Sequence, residues 1–242
     1  MKMICNVRDR MQDYFSRLEL VRDLSPELVR AFALLWTVRP CSAGAAVALA
    51  GDDAHKVFLV LEGTVELYRH AQGKKVVLDT LVPGSIFGDL SFAHPPLPEA
   101  IHTFARALSD AQVGNAASSA FTAFLQKNTS LALPLLVQLR NQLHRYESKI
   151  RDLALSPADI RVINELIRFA VRSGGTSGDY YELKEKFTHE MLGTMVGITR
   201  ETITKTMQLL HHAGFVEYTP DHRIRLNKKK IVEECLDCLK PA

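Results

Sequence analysis

The sequence predicts an α+β chain. It has a small β-roll with N-terminal helices, then a long helix, then a C-terminal winged helix-turn-helix. Three observations predict this. From about residue 37, short β-rich runs alternate with glycine- or proline-marked turns, at intervals of ~8–12 residues, the pattern of a small barrel or sandwich. A heptad-spaced apolar stripe follows. Two short amphipathic segments then meet at Gly197, each preceded by a threonine placed to cap it.

Composition allows this division. A chain of 242 residues, 47% apolar and 24% charged, can bury two ordinary cores and is not a disordered sequence. No run approaches the ~18 apolar residues of a membrane helix, and the start MKMICNVRDR lacks the apolar stretch of a secretory signal. Four cysteines, Cys5, Cys41, Cys235 and Cys238, are too few for a disulfide scaffold and suit a reducing cytoplasm. A net charge of +3 leaves any basic surface to be local.

The first 35 or so residues read as helix, with Tyr14, Phe15, Leu18, Leu20 and Val21 near helical spacing. Ser25-Pro26-Glu27 is a helix start. The clearest strands are Val57–Leu61, Thr64–Tyr68 and Val76–Leu81, broken by turns such as Glu62-Gly63, Pro83-Gly84 and Gly88-Asp89. Helix returns near Ser119. Leu136, Leu139, Leu143, Tyr146, Ile150 and Leu153 then recur at spacings of 3, 4, 3, 4 and 3, a heptad a/d pattern. That stripe serves either as a homodimer seam or as a helix face packed on its own β-domain. Pro134 should kink this helix or begin its straight part. Ser156-Pro157-Ala158-Asp159 reads as a cap, a first-turn proline and a returning acid, so one helix ends and another starts there. The break at Leu155–Asp159 is a natural hinge. The expected domains are 1–127 for the roll with its helices, 128–155 for the dimerisation helix and 156–242 for the winged helix-turn-helix. Ile160, Ile163, Leu166, Ile167 and Ala170 share one face of the next helix, and Ser173–Gly178 is a flexible loop.

Residues 188–212 carry the sharpest signal. Thr188 caps a first helix with Leu192 and Val196 inward. Gly197 permits the turn and Ile198 plugs it. Thr199 caps a second helix whose buried stripe is Ile203, Met207 and Leu210. Its opposite face is Arg200, Glu201, Thr204, Lys205 and Gln208. This is a helix-turn-helix, whose second helix enters the major groove of double-stranded DNA. Arginine can bond guanine O6 and N7 together, glutamate can accept from cytosine N4, and Lys205 reaches a base or a phosphate one turn on. Residues 214–226 read as strand, turn and strand, the wing. Lys228-Lys229-Lys230 either touches phosphates or forms a plain solvated face. Between residues 184 and 230, nine Lys and Arg stand against five Asp and Glu, a mild local basic bias.

The order of these parts resembles the CRP/FNR family of bacterial transcription regulators, over roughly residues 12–232. The most specific pieces are Val60–Val65, Pro83–Leu90 and Val196–Thr202. The resemblance implies a cyclic-nucleotide-binding-like jelly roll that takes a small effector, and dimerisation through the long helix. It implies a palindromic site with a TGTGA-like core, read by Arg200, Glu201 and Lys205, and RNA polymerase as a further partner. Lysine stands at 205 where cAMP-responsive members usually have arginine.

By the same resemblance the effector pocket falls at Gly88, Asp89 and Leu90, at Ile101 and His102, and at Tyr146 and Glu147. The cAMP-binding pattern is absent there. No arginine occurs between Gly84 and Ala105, so a cyclic phosphate meets no guanidinium. Arg106 and Lys149 are the nearest cations that might swing in. Cys5 and Cys41 cannot supply the four cysteines of an FNR-type iron–sulfur cluster. Cys235-x-x-Cys238 is a single pair, and zinc takes four ligands. Haem is the other cofactor of the family; His55, His70, His94 and His102 are its candidate axial ligands. No cofactor is identified from the residues. The expectation is a cytoplasmic homodimeric regulator, controlled by an effector other than cAMP or by none. Its alternatives are an effector-binding signalling module without DNA reading, or a haem-based gas sensor. No nucleophile elbow, phosphate loop or zinc-protease motif is present, so an enzyme is not expected.

Overall fold

A computed structural model describes residues 14–48, 53, 55–71, 74–90 and 103–234. The chain forms two compact units, Met1–His70 with Asp79–Arg145 and Ala71–Leu78 with Tyr146–Ala242. The division falls within the long helix rather than at 127/128 and 155/156.

In the first unit the N-terminal helical stretch is broken into pieces. A turn of helix at residues 14–16 and a tight helical turn at Glu19–Val21 precede α1, Pro26–Leu34. The Ser25 hydroxyl accepts from the Leu28 N–H at 3.3 Å and starts α1. The strands are β1 Thr37–Cys41, β2 Ala46–Ala48, β3 Lys56–Glu62, β4 Val65–Ala71, β5 Lys74–Leu81, β6 Ile86–Gly88, β7 Phe104–Ala107 and β8 Ala111–Ala117, with most of β5 counted in the second unit. They form two four-stranded sheets, ordered β1-β8-β3-β6 and β2-β7-β4-β5. Neighbours so distant in sequence are the mark of a jelly roll.

β3 shows why this region reads as apolar runs. Phe58 and Val60 join Val47, Val65, Leu81, Phe87 and Val113 in one core. Val57, Leu59 and Leu61 point the other way, into a second core with Phe15, Phe32, Trp36, Phe121 and Leu131. A strand buried on both faces has no polar alternation. After β8 come α2, Ser118–Lys127, and α3, Ala132–Leu155. Pro134 lies in the first turn of α3, where no backbone N–H donor is needed.

The second unit takes the end of α3, then α4 Ala158–Arg172, β9 Thr176–Ser177, β10 Tyr180–Glu182, α5 His189–Val196, α6 Arg200–His212, β11 Val216–Tyr218, β12 Ile224–Asn227 and α7 Lys228–Glu234. Its core includes Val162, Ile163, Leu166, Phe169, Leu192, Ile203, Met207, Val216, Ile224 and Leu226. The wing strands belong to a four-stranded sheet, β11-β12-β10-β9. Residues 173–178, expected as a flexible loop, therefore lead into and include β9, which pairs with β10.

One local expectation at the α3–α4 junction is corrected. Pro157, not Ser156, is the N-cap of α4, and no side chain caps it; the Asp159 carboxylate accepts from the neighbouring Ile160 N–H at 2.9 Å instead. Close to the expected hinge, an ion pair joins α3 and α4. Arg168 Nη1 on α4 donates to Asp152 on α3 at 2.6 Å and Nη2 donates to Glu165 at 2.8 Å. The Asp152 side chain is only 4% exposed. Burial opposes the Arg168 charge, and the two acids outweigh it, so its pKa is raised. A buried carboxylate requires its partner, so α4 is fastened to the last turns of α3.

Candidate nucleic-acid interface

The interface is built on two caps and a turn. The Thr188 hydroxyl accepts from the Met191 N–H at 3.2 Å and starts α5; the Thr199 hydroxyl accepts from the Thr202 N–H at 3.2 Å and starts α6. Gly197 ends α5 in the left-handed region at φ 75°, where glycine has no steric penalty. Gly193 is needed for another reason. A Cβ there would sit 2.8 Å from the Ile198 carbonyl oxygen, so the turn folds directly over a bare helix backbone.

Ile203, Met207 and Leu210 are 0%, 1% and 5% exposed. With that stripe inward, Arg200, Glu201, Lys205 and Gln208 all lie exposed. The Glu201 carboxyl is held below its ordinary range by its own backbone N–H, then by the Thr199 hydroxyl and the Arg200 charge. It is an acceptor at neutral pH. Thr204 differs from its neighbours. It is half-buried, its hydroxyl donates to the Arg200 carbonyl at 2.8 Å, and His189 Nδ1 lies 2.9 Å from the same oxygen. Its one hydrogen is used inside the protein.

The wing turn is set by the Thr219 hydroxyl, which donates to Asp221 at 2.6 Å and accepts from the Arg223 N–H at 2.9 Å. Of the lysine run, Lys228 donates to the Gly178 carbonyl and Lys230 pairs with Glu234, while Lys229 is exposed.

The dimer-seam residues divide between two faces of α3. Leu136, Leu143, Ile150 and Leu153 are 60%, 58%, 66% and 48% exposed. Leu139 and Tyr146 are half-buried, and Leu139 packs against the core of its own roll beside Leu131 and Leu135. The reading of the stripe as a face packed on its own β-domain therefore applies to Leu139. Polar residues bind α3 in place. Gln138 donates to the Gly84 carbonyl at 2.9 Å, Arg145 to Asp79 at 3.0 Å and Lys149 to the Val77 carbonyl at 3.0 Å.

Comparison with known proteins agrees with this architecture. Residues 38–128 match the cyclic nucleotide-binding domain family, and residues 160–233 match the Crp-like helix-turn-helix domain family. The chain belongs to the CRP/FNR family of transcription regulators. It is 22% identical, over 85% of its length and 91% of the relative's, to the CRP-like cAMP-activated global transcriptional regulator of Mycobacterium tuberculosis. Its fold matches a mutant of CooA from Carboxydothermus hydrogenoformans with TM-score 0.69 and 21% identity, over 89% of this chain and 94% of that one. FixK2 from Bradyrhizobium japonicum matches with TM-score 0.68 and 20% identity, over 82% and 96%. As a CRP/FNR member the chain is a DNA-binding transcription regulator and not an enzyme.

Of the effector-pocket candidates, Gly88 ends β6, and Asp89 and Leu90 follow it. The Asp89 carbonyl accepts from the Ser118 hydroxyl at 2.8 Å, and its buried carboxylate lies 3.9 Å from His55. Tyr146 and Glu147 lie on α3 in the second unit. Ile101, His102, His94, Cys5, Cys235 and Cys238 lie outside the described residues. Among the described residues no three His, Cys, Asp or Glu side chains gather as a metal site, and no helix is long and apolar enough to cross a membrane. His55 is largely exposed, and His70 packs its ring on Tyr68 and Phe104. The roll also holds ion pairs invisible in sequence. Arg106 donates to Glu66 at 2.7 Å across β7 and β4, and Glu66 is 2% exposed.

Proposed function

We propose that this regulator acts as a homodimer on a palindromic, TGTGA-like site, with one α6 reading each half-site. It works in the cytoplasm under an effector other than cAMP, or under none. The observation that carries DNA reading is the exposed face of Arg200, Glu201 and Lys205, set by a capped helix with a fully buried back. Two such helices about one DNA turn (~34 Å) apart require a two-fold assembly. Exposed Leu136, Leu143, Ile150 and Leu153 on α3 supply an apolar seam for a second copy.

What supports an effector other than cAMP is that the nearest described cations already have partners. Arg106, the nearest arginine in sequence, is held by buried Glu66, and Lys149 is held by the Val77 carbonyl. Arg145 is held by Asp79. Turning any of these to a phosphate strands a buried acid or an unpaired backbone carbonyl.

The test is a titration of the purified chain into a labelled duplex carrying two inverted TGTGA half-sites, and into a scrambled duplex, with and without cAMP. The reading predicts preference for the palindrome and no response to cAMP. Equal affinity for both duplexes would contradict DNA reading. A rise in palindrome affinity at micromolar cAMP would contradict the effector assignment alone.

A further inference from the structure

We propose that His189 is a positioning residue of the DNA interface. It locks α6 against α5 through Thr204 and thereby aims Arg200 and Lys205. The inference rests on DNA reading by α6 and adds a residue outside the face that reads.

The hydrogen-bond inventory determines how the lock works. Thr204 has one hydroxyl hydrogen, and the Arg200 carbonyl takes it at 2.8 Å. With the hydroxyl hydrogen on that carbonyl, His189 Nδ1, 2.9 Å from the same Oγ1, takes the donor role in the proposed lock. The lock therefore calls for the tautomer with its hydrogen on Nδ1. The chain of bonds runs from the first residue of α5, through a side chain in the second turn of α6, to the backbone of Arg200. Arg200 and Lys205 flank Thr204 on the same helix.

Other contacts between the two helices do not fix rotation in the same way. Ile203, Met207 and Leu210 supply apolar burial, which has no direction. The Ile198 N–H to Gly193 carbonyl bond, at 2.9 Å, fixes the turn before α6 begins. A hydrogen bond from Thr204 is directional. Side chains lie ~5–6 Å from a helix axis, so a turn of ~10° about the axis shifts their tips by on the order of 1 Å. That is about twice the tolerance of a bidentate contact, ~0.5 Å. Scattered phosphate contacts tolerate such a shift, whereas base-edge contacts do not.

Two measurements test it, both on the full chain. In the first, His189→Ala and Thr204→Val are compared on the inverted TGTGA duplex and on the scrambled duplex. Each should reduce the palindrome-to-scrambled affinity ratio about tenfold, and in His189→Ala, which lies outside the reading face, scrambled-duplex affinity should stay within about twofold. The double variant should be no worse than either single. His189→Asn, whose amide nitrogen overlays Nδ1, and Thr204→Ser should restore the ratio. In the second, nitrogen NMR of the free protein should show the His189 ring protonated at Nδ1. An unchanged ratio in His189→Ala, additive losses, or failure of His189→Asn to restore the ratio would overturn the proposal. A ring protonated only at Nε2 would overturn it without any DNA. Loss of preference in the wild-type chain, with the Nδ1 tautomer present, would indict DNA reading by α6 and leave the lock standing.

Discussion

Replacing Leu143 with aspartate should split the regulator into monomers. Leu143 lies midway along α3 and is 58% exposed in the single chain. Burying a whole leucine contributes about 1.5–3 kcal/mol. Covering the exposed part therefore contributes about 1–2 kcal/mol per chain, or about 2–4 kcal/mol for both copies. Losing that alone raises the dimer dissociation constant by about 30- to 1000-fold. The variant also places two unpaired carboxylates in a dry seam, which adds to the loss. Sedimentation velocity over a range of concentrations reads the constant directly. Leu34→Asp is the control, because Leu34 is 80% exposed on α1 rather than α3, and it should leave the constant unchanged. A Leu143→Asp chain that remains dimeric, with a constant within threefold of wild type, would refute the seam.

Other outcomes follow from the second unit. Arg200→Ala should lose about 1–3 kcal/mol per half-site on the palindrome and relax base preference at one position; an equal loss on scrambled DNA would remove its base-reading role. Gly193→Ala places a Cβ 2.8 Å from the Ile198 carbonyl oxygen. The backbone must shift, at a cost of about 1–3 kcal/mol, so the melting temperature should fall by about 2–10 °C. An unchanged melting curve would contradict the close approach. The Glu201 carboxyl is depressed below 4.5 by its own backbone N–H and then by the Thr199 hydroxyl. A depressed folded-state pKa contributes stability above the unfolded value and loses it as pH falls through the folded value. Carbon NMR should therefore find Glu201 titrating below the ordinary glutamate range in the wild type, and closer to the ordinary value in Thr199→Val. Identical midpoints would show that the cap does not hold the carboxylate.

What sequence revealed and what it hid differ in range. β3 was legible because Val57–Leu61 is buried on both sides, so its composition alone excludes a surface segment. The helix-turn-helix was legible because its caps, its turn glycine and its apolar stripe all act within about four residues of one another. β9 and β10 escaped because they are two and three residues long and none of their residues is buried. The cap at Ser156 was misjudged because local sequence permits a serine cap there, whereas the Ser156 N–H is bonded to the Asp152 carbonyl at 3.0 Å. The pairs Glu66–Arg106, Asp79–Arg145 and Asp152–Arg168 join residues 40, 66 and 16 positions apart. No periodicity signals such a pair. His189 was hidden for the same reason, its partner Thr204 lying 15 positions away across the turn. Leu139 looked like its heptad neighbours until the roll core occupied its side of α3.

The central claim is that two copies of this chain read a two-fold symmetric DNA sequence through Arg200, Glu201 and Lys205. Selection from a random duplex pool with the purified chain and no added effector, followed by sequencing, tests it most directly. The account predicts enrichment of inverted repeats with TGTGA-like half-sites centred about one helical turn (~10 base pairs) apart. Enrichment of asymmetric sites, or no enrichment over the starting pool, would contradict it.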